Sequence, residues 1–366
     1  MNRRRFITAA GASLGAAPAL LAARAGRAQA ETGSAGIAEQ AAQVWQAWKT
    51  AYLRPDGRVV DRLQRNASHS EGQGYGLLLA AEFGDREVFD RILAWTEAHL
   101  AIRSDALLAW RWLPDDPAGV PDLNNASDGD LFFAWALVRG SRRFAHRPHL
   151  DRAVQSAQAL AGRCLLDSPA NPGEVLFLPA VHGFVESGRA VINPSYLMPL
   201  AMRELASATG VTELALAAQH GEGLLLRLAQ EGLVPDWVAV SRTGLAPADG
   251  FSPNAGYEAM RVPLFLIWSG LARHPAVSNM RQVYDRTVLP GLPVPTRIEP
   301  ASGVVLETSP DAGYRALAGL VGCAGRSGAV DAAIPPFDPS QPYYPATLQM
   351  FAMLAASQVV PECTPV

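Results

Sequence analysis

Val88-Phe89-Asp90-Arg91-Ile92-Leu93-Ala94-Trp95-Thr96-Glu97-Ala98-His99 decides the fold class. Val88, Ile92, Trp95 and His99 recur at steps of four, three and four, which lays one stripe along an α-helix. Ile37, Ala41, Val44, Trp45, Trp48 and Tyr52 repeat the pattern upstream. Working outward, helical spacing recurs near 72–83, 128–139, 150–166, 195–208, 212–229, 257–271, 279–288, 311–320 and 345–357. Strand-like runs are short and few, such as Val175–Leu178 and Val238–Val240. Breaks rich in Pro, Gly and Asp, among them Arg54-Pro55-Asp56-Gly57 and Pro290-Gly291-Leu292-Pro293, separate the helices. None is long enough for a flexible linker. The pattern predicts one all-α domain over residues 31–366, closed and layered. An antiparallel bundle of the same length is the alternative, because no repeat is visible.

Hydrophobic residues make up 49% and charged residues 18% of the 366, enough apolar material for a large core and too much for a disordered chain. The formal charge of −3 and the lack of a basic run past the N-terminus argue against a nucleic-acid partner. Three cysteines, Cys164, Cys323 and Cys363, are too scattered for a thiolate metal site and allow one internal bridge. Cys164, in an apolar helical stretch, reads as a structural thiol.

Residues 1–30 carry five arginines and no acid. Arg3-Arg4-Arg5-Phe6-Ile7, an uncharged stretch from Phe6 to Ala23, and Ala28-Gln29-Ala30 read as a twin-arginine-type signal peptide cut after Ala30. A membrane anchor is the alternative, weakened by the Ala, Gly, Ser and Thr content and by Pro18. Export would place the mature protein in the periplasm or outside the cell, with no membrane span, and loss of the five arginines takes −3 to −8. Gly11-Ala12-Ser13-Leu14-Gly15 mimics a nucleophile elbow but sits in the removed segment.

Candidate chemistry lies in three acidic segments. In Ser68-His69-Ser70-Glu71-Gly72-Gln73-Gly74-Tyr75-Gly76, three alternating glycines open a helix at a cost in helix stability and offer bare backbone for a ligand to approach Glu71. The plainer reading is that Ser70 caps the helix and Glu71 complements its dipole. Asn125-Ala126-Ser127-Asp128-Gly129-Asp130 is a second N-cap pattern, with one aspartate left over. Calcium fits it poorly, for the other ligands of a binding loop are missing. In Asn254-Ala255-Gly256-Tyr257-Glu258-Ala259-Met260-Arg261, Glu258 and Arg261 are spaced to share a helix face, and a surface ion pair is the simpler account. Trp110 and Trp112 flank Arg111 in a loop-like stretch, as sugar-stacking indoles would. No metal, nucleotide or flavin pattern occurs, so no cofactor is expected.

Taken in order, Ser70–Gly76, Ala126–Asp130, Asn193-Pro194-Ser195-Tyr196, Pro235-Asp236-Trp237 and Gly256–Val262 resemble glycoside hydrolase family 8, and most closely its endoglucanases of bacterial cellulose synthesis. The resemblance implies an (α/α)6 barrel, inverting hydrolysis of β-1,4-glucan in an open cleft, and a place beside the cellulose synthase export machinery. It puts Glu71 on the general acid, Asp128 on the acid that contacts the sugar, Trp110 on a stacking aromatic, Tyr196 on a residue holding the attacking water, and Arg261 on a sugar- or carboxylate-binding position. Glu258 falls on the general base, where the family most often has aspartate. Glutamate's extra methylene shrinks or shifts the water site unless the backbone retreats or the rotamer folds back, and a shift of about 1 Å costs on the order of 10²-fold in rate. In the implied mechanism Glu71 is protonated, with the Asp128 charge keeping it so, and Glu258 is ionised. Rival readings are a chitosanase or xylanase on the same fold, and a glucan-binding accessory without catalysis.

Overall fold

The computed structural model describes residues 41–326 and 334–364, so the proposed signal peptide lies outside the described residues. The chain divides into two compact units. Residues 41–46, the described part of the first, are helical. The second begins at Ala47 and carries the rest of the fold.

Its helices are α1 (47–52), α2 (Ser70–Glu82), α3 (Arg86–His99), α4 (Ser127–Phe144), α5 (Arg147–Cys164), α6 (Pro199–Thr209), α7 (Glu213–Glu231), α8 (Arg261–Trp268), α9 (Pro275–Thr287), α10 (Ala312–Cys323) and α11 (Tyr343–Val359). They form two layers, and side-chain chemistry explains which helix lies where. Residues of α2, α8 and α11 are buried on nearly every side, as suits helices enclosed by others. By contrast α3, α5 and α9 bury one stripe (on α3, Val88, Phe89, Ile92, Trp95 and Thr96) and turn charged residues to water. α4 packs on α2 and α6, α6 on α8, and α8 on both α10 and α11.

Aromatics fill the centre. The rings of Tyr75 and Phe132 lie 4.7 Å apart edge to face, Tyr75 and Phe351 4.8 Å, and Trp268 and Phe351 5.3 Å. Buried indoles find polar partners across helices: Trp48 Nε1 donates to Thr347 Oγ1 at 3.0 Å and Trp268 Nε1 to Gln358 Oε1 at 2.9 Å.

The glycines of α2 act differently from the sequence expectation. A Cβ on Gly74 would lie 2.9 Å from Phe133 N, and one on Gly129 of α4 would run into Ser70 Oγ and lie 2.6 Å from Glu71 N. They let α2 and α4 touch backbone to backbone; the approach they serve is of a helix, not a ligand. Ser70 also departs from expectation. It is the first residue of α2, His69 occupies the cap position, and no side-chain cap bond forms there.

Short strands decorate the helices. β1 (Ser68–His69) pairs with β2 (Arg111–Trp112), and β3 (Leu165–Asp167) with β4 (Val175–Phe177). β5 (Val185–Glu186), β6 (Arg189–Ile192), β7 (Val238–Ser241) and β8 (Gly244–Pro247) form an antiparallel sheet in that order. β9 (Val294–Ile298) and β10 (Val305–Ser309) make a last hairpin. Both strand-like runs of the sequence are strands. Cys323 and Cys363 form a disulfide, and Cys164 is free and buried.

Candidate functional site

Local structure explains why the candidates meet. The β1–β2 pairing sets His69 opposite Arg111, and Ser70 N donates to Trp110 O at 3.0 Å, so Trp110 stands beside the start of α2. The close α2–α4 crossing brings Asp128, in the first turn of α4, against Glu71. α8 begins at Arg261, so Glu258 sits in the turn before the helix rather than on its face. All six predicted site residues, Glu71, Trp110, Asp128, Tyr196, Glu258 and Arg261, line one cleft of about 420 Å³.

Arg261 is the hub. It is 1% exposed, which removes the surface-pair account of Glu258 and Arg261. Its Nη1 donates to Glu71 Oε2, to Tyr75 Oη at 3.1 Å and to Asp128 Oδ2 at 3.4 Å. Its Nη2 donates to Glu258 Oε2 and to Ser195 Oγ at 2.7 Å. One guanidinium therefore touches three carboxyls, using the fixed fork that lysine lacks.

The two buried carboxyls divide their protons unevenly. Burial raises Glu71, but Arg261, a hydrogen bond with Asp128 and the nearby His69 together bring it below its ordinary value. Burial and the Glu71 charge push Asp128 well above its ordinary value, only partly offset by Arg261. The pair holds one proton between them, and in the free site it rests on the Asp128 side. This reverses the expectation that an ionised Asp128 keeps Glu71 protonated, because Arg261 grips Glu71 more closely than Asp128.

Around them the aromatics are fixed in place. Trp110 Nε1 donates to Asp122 Oδ2 at 2.9 Å, and the Arg111 guanidinium lies 4.2 Å from the Trp110 ring centre. Trp112 packs edge-on against Trp95, its ring centre 5.7 Å away, and does not line the cleft. Burial, then the charges of Asp128 and Glu258, push the Tyr196 phenol well up, so it stays a proton donor. The Arg261 guanidinium lies 5.7 Å from its ring centre.

Asp130, the aspartate without a role in the sequence reading, is structural. It accepts from Leu108 N at 2.7 Å and Asn125 Nδ2 at 2.9 Å, and burial pushes its carboxyl up to about 7. Among the described residues no His, Cys, Asp and Glu cluster could hold a metal ion.

The residues that hold Glu258 are the ones sequence reasoning misses. Asp236 Oδ1 accepts from Gly256 N at 2.8 Å and Ala259 N at 2.9 Å, pinning the turn from both sides. Tyr344 Oη donates to Tyr257 O. Asn193 Nδ2 donates to Glu258 Oε2 at 3.0 Å. Asn193 and Asp236 stand inside motifs that give them no role, and nothing in the sequence marks Tyr344.

A family model for glycosyl hydrolases family 8 matches residues 26–358. A probable endoglucanase of Novacetimonas hansenii is 34% identical over 326 residues, spanning 87% of this chain and 91% of that protein. An endoglucanase of Xanthomonas axonopodis pv. citri is 32% identical, spanning 96% and 92%. Among solved structures, an endo-β-1,4-glucanase from Acetobacter xylinum superposes with a TM-score of 0.76 at 30% identity, covering 88% of this chain and 99% of that one. Such neighbours are (α/α)6 barrels, the architecture expected here in preference to a bundle.

Proposed function

The chain belongs to the glycosyl hydrolases of family 8, and on that premise we propose that it is an inverting endo-β-1,4-glucanase with Glu71 as general acid and Glu258 as general base. The observation that carries this reading is the convergence of Glu71, Asp128 and Glu258 on Arg261 in one cleft. Inverting hydrolysis needs a proton donor on one side of the glycosidic bond and a base for water on the other. The shared proton of the Glu71–Asp128 pair is the one to be given. Asp128 is 2% exposed, so the proton reaches the glycosidic oxygen through Glu71, whose side chain is 19% exposed. Glu258, with a side chain 35% exposed, takes the proton of the attacking water, and the Tyr196 hydroxyl helps hold that water. The Trp110 indole offers an apolar face to a glucose ring.

The same reading places the protein outside the cytoplasm, behind a twin-arginine-type signal peptide. The Cys323–Cys363 bridge supports this, since disulfides persist in oxidising compartments. No helix among the described residues is long and apolar enough to cross a membrane. A place beside the cellulose synthase export machinery rests on the resemblance of the motifs.

Release of reducing ends from carboxymethyl cellulose by wild type, Glu71→Gln and Glu258→Gln tests the assignment. Wild type should cut, and each variant should lose about 10²-fold or more, the scale of general acid–base catalysis. Cleavage of chitosan or xylan in place of cellulose would move the substrate within the fold. Binding of glucan without turnover would leave an accessory protein.

A further inference from the structure

Asn193 follows directly on β6, whose Ile192 pairs with Val238 of β7, so the sheet fixes its backbone at the cleft edge. Its Oδ1 accepts from Ser195 N at 3.0 Å and Ser195 Oγ at 2.7 Å, and its Nδ2 donates to Glu258 Oε2 at 3.0 Å. Ser195 Oγ accepts from Arg261 Nη2 at 2.7 Å and lies 3.3 Å from Glu258 Oε2. Arg261 Nη2 closes the ring by donating to that same Oε2. Asn193 and Ser195 are both buried, so little solvent competes for these bonds.

A carboxylate has two oxygens able to accept. Every hydrogen bond to the Glu258 carboxylate from the described residues falls on Oε2. From that asymmetry we infer that Asn193 and Ser195 are positioning residues that fit this site to a glutamate, holding Oε2 back and leaving Oε1 as the oxygen that meets water. The longer side chain is folded onto the buried ring, which accommodates the extra methylene. An aspartate carboxylate, one methylene closer to the backbone, loses Asn193 unless the turn moves, and Asp236 and Tyr344 pin that turn. The inference rests on the acid–base reading above.

A double-mutant cycle in kcat on carboxymethyl cellulose tests it, with wild type, Glu258→Asp, Asn193→Ala and the pair. Glu258→Asp should lower kcat by about 10²-fold with KM within about threefold, as a misplaced base does. Asn193→Ala should lower kcat about tenfold in wild type and less than about twofold in the Glu258→Asp background, where the bond is already gone. Ser195→Ala should repeat the pattern if Asn193→Ala melts early. A Glu258→Asp variant as fast as wild type overturns the inference, as does an Asn193→Ala loss of equal size in both backgrounds. Wild type that cuts while the cycle shows no coupling overturns this inference alone; wild type that cuts no glucan overturns the endoglucanase reading with it.

Discussion

The two sides of the cleft are held by different kinds of structure. On the acid side, Glu71 and Asp128 occupy the first turns of α2 and α4, pressed together by a glycine crossing with backbone almost in contact. On the base side, Glu258 sits in a turn secured by side chains from distant segments: Asp236 before β7, Asn193 after β6 and Tyr344 in α11. Helix packing yields a dry, close pair that shares a proton. A pinned turn leaves its carboxylate partly exposed, as a group that must meet water requires. Under the proposed assignment, the surroundings of each group suit the protonation its task demands.

Breaking the acid side should have the larger effect. Gly129→Ala drives a methyl into Ser70 Oγ and to 2.6 Å from the Glu71 backbone nitrogen, so α2 and α4 must part. Overpacking of this kind costs about 1–3 kcal/mol, and a displacement of about 1 Å at Glu71 costs on the order of 10²-fold in kcat. A thermal melt and reducing-end assay that matched wild type would refute the crossing as the device that joins the two acids.

The base side should fail more gently. Asp236→Ala strips two buried N–H groups of their acceptor, at about 1–3 kcal/mol each, and frees the turn. We expect kcat to fall about tenfold with KM nearly unchanged, and Asp236→Asn, which keeps an oxygen acceptor, to recover most of the loss. Equal damage from both variants would mean that the charge matters and the turn does not.

The smallest effect on turnover should come from Asp130, which shares a helical turn with Asp128 but bonds Leu108 and Asn125, its carboxyl raised to about 7. A raised acid favours the fold fully below about pH 4, and the advantage fades as pH climbs through about 7. Keeping it ionised at pH 8 costs the fold on the order of 4 kcal/mol. Chemical denaturation across about pH 4–8 should show a falling contribution in wild type that Asp130→Asn removes. The same slope in both proteins would assign the pH dependence elsewhere.

Helical order is legible in the sequence because apolar spacing is local: the stripe through Val88, Ile92 and Trp95 needs no knowledge of its partner. The acid motif is legible for a similar reason, since Glu71 and the glycines lie close together in the chain. What the glycines face is not, because Gly74 and Gly129 come from different helices and only packing shows how the two backbones touch. Periodicity starts α8 too early, for Gly256–Met260 has helical spacing while Asp236 binds its N–H groups from outside. Asn193 and Asp236 cannot be read as partners of the Glu258 turn, since they come from the ends of β6 and β7, neighbours in the sheet but separated along the chain by α6 and α7.

The convergence on Arg261 also fixes how charge is conserved through a catalytic cycle. Three carboxyls sharing one proton, set against one guanidinium, leave the cluster at a net −1. In the proposed turnover the Glu71–Asp128 pair gives its proton to the departing sugar while Glu258 gains one from water, so the total is unchanged. Only the address of the proton differs, from the Nη1 arm of Arg261 to the Nη2 arm. Resetting the enzyme is then an exchange across a single cation, with no net charge entering or leaving the protein interior.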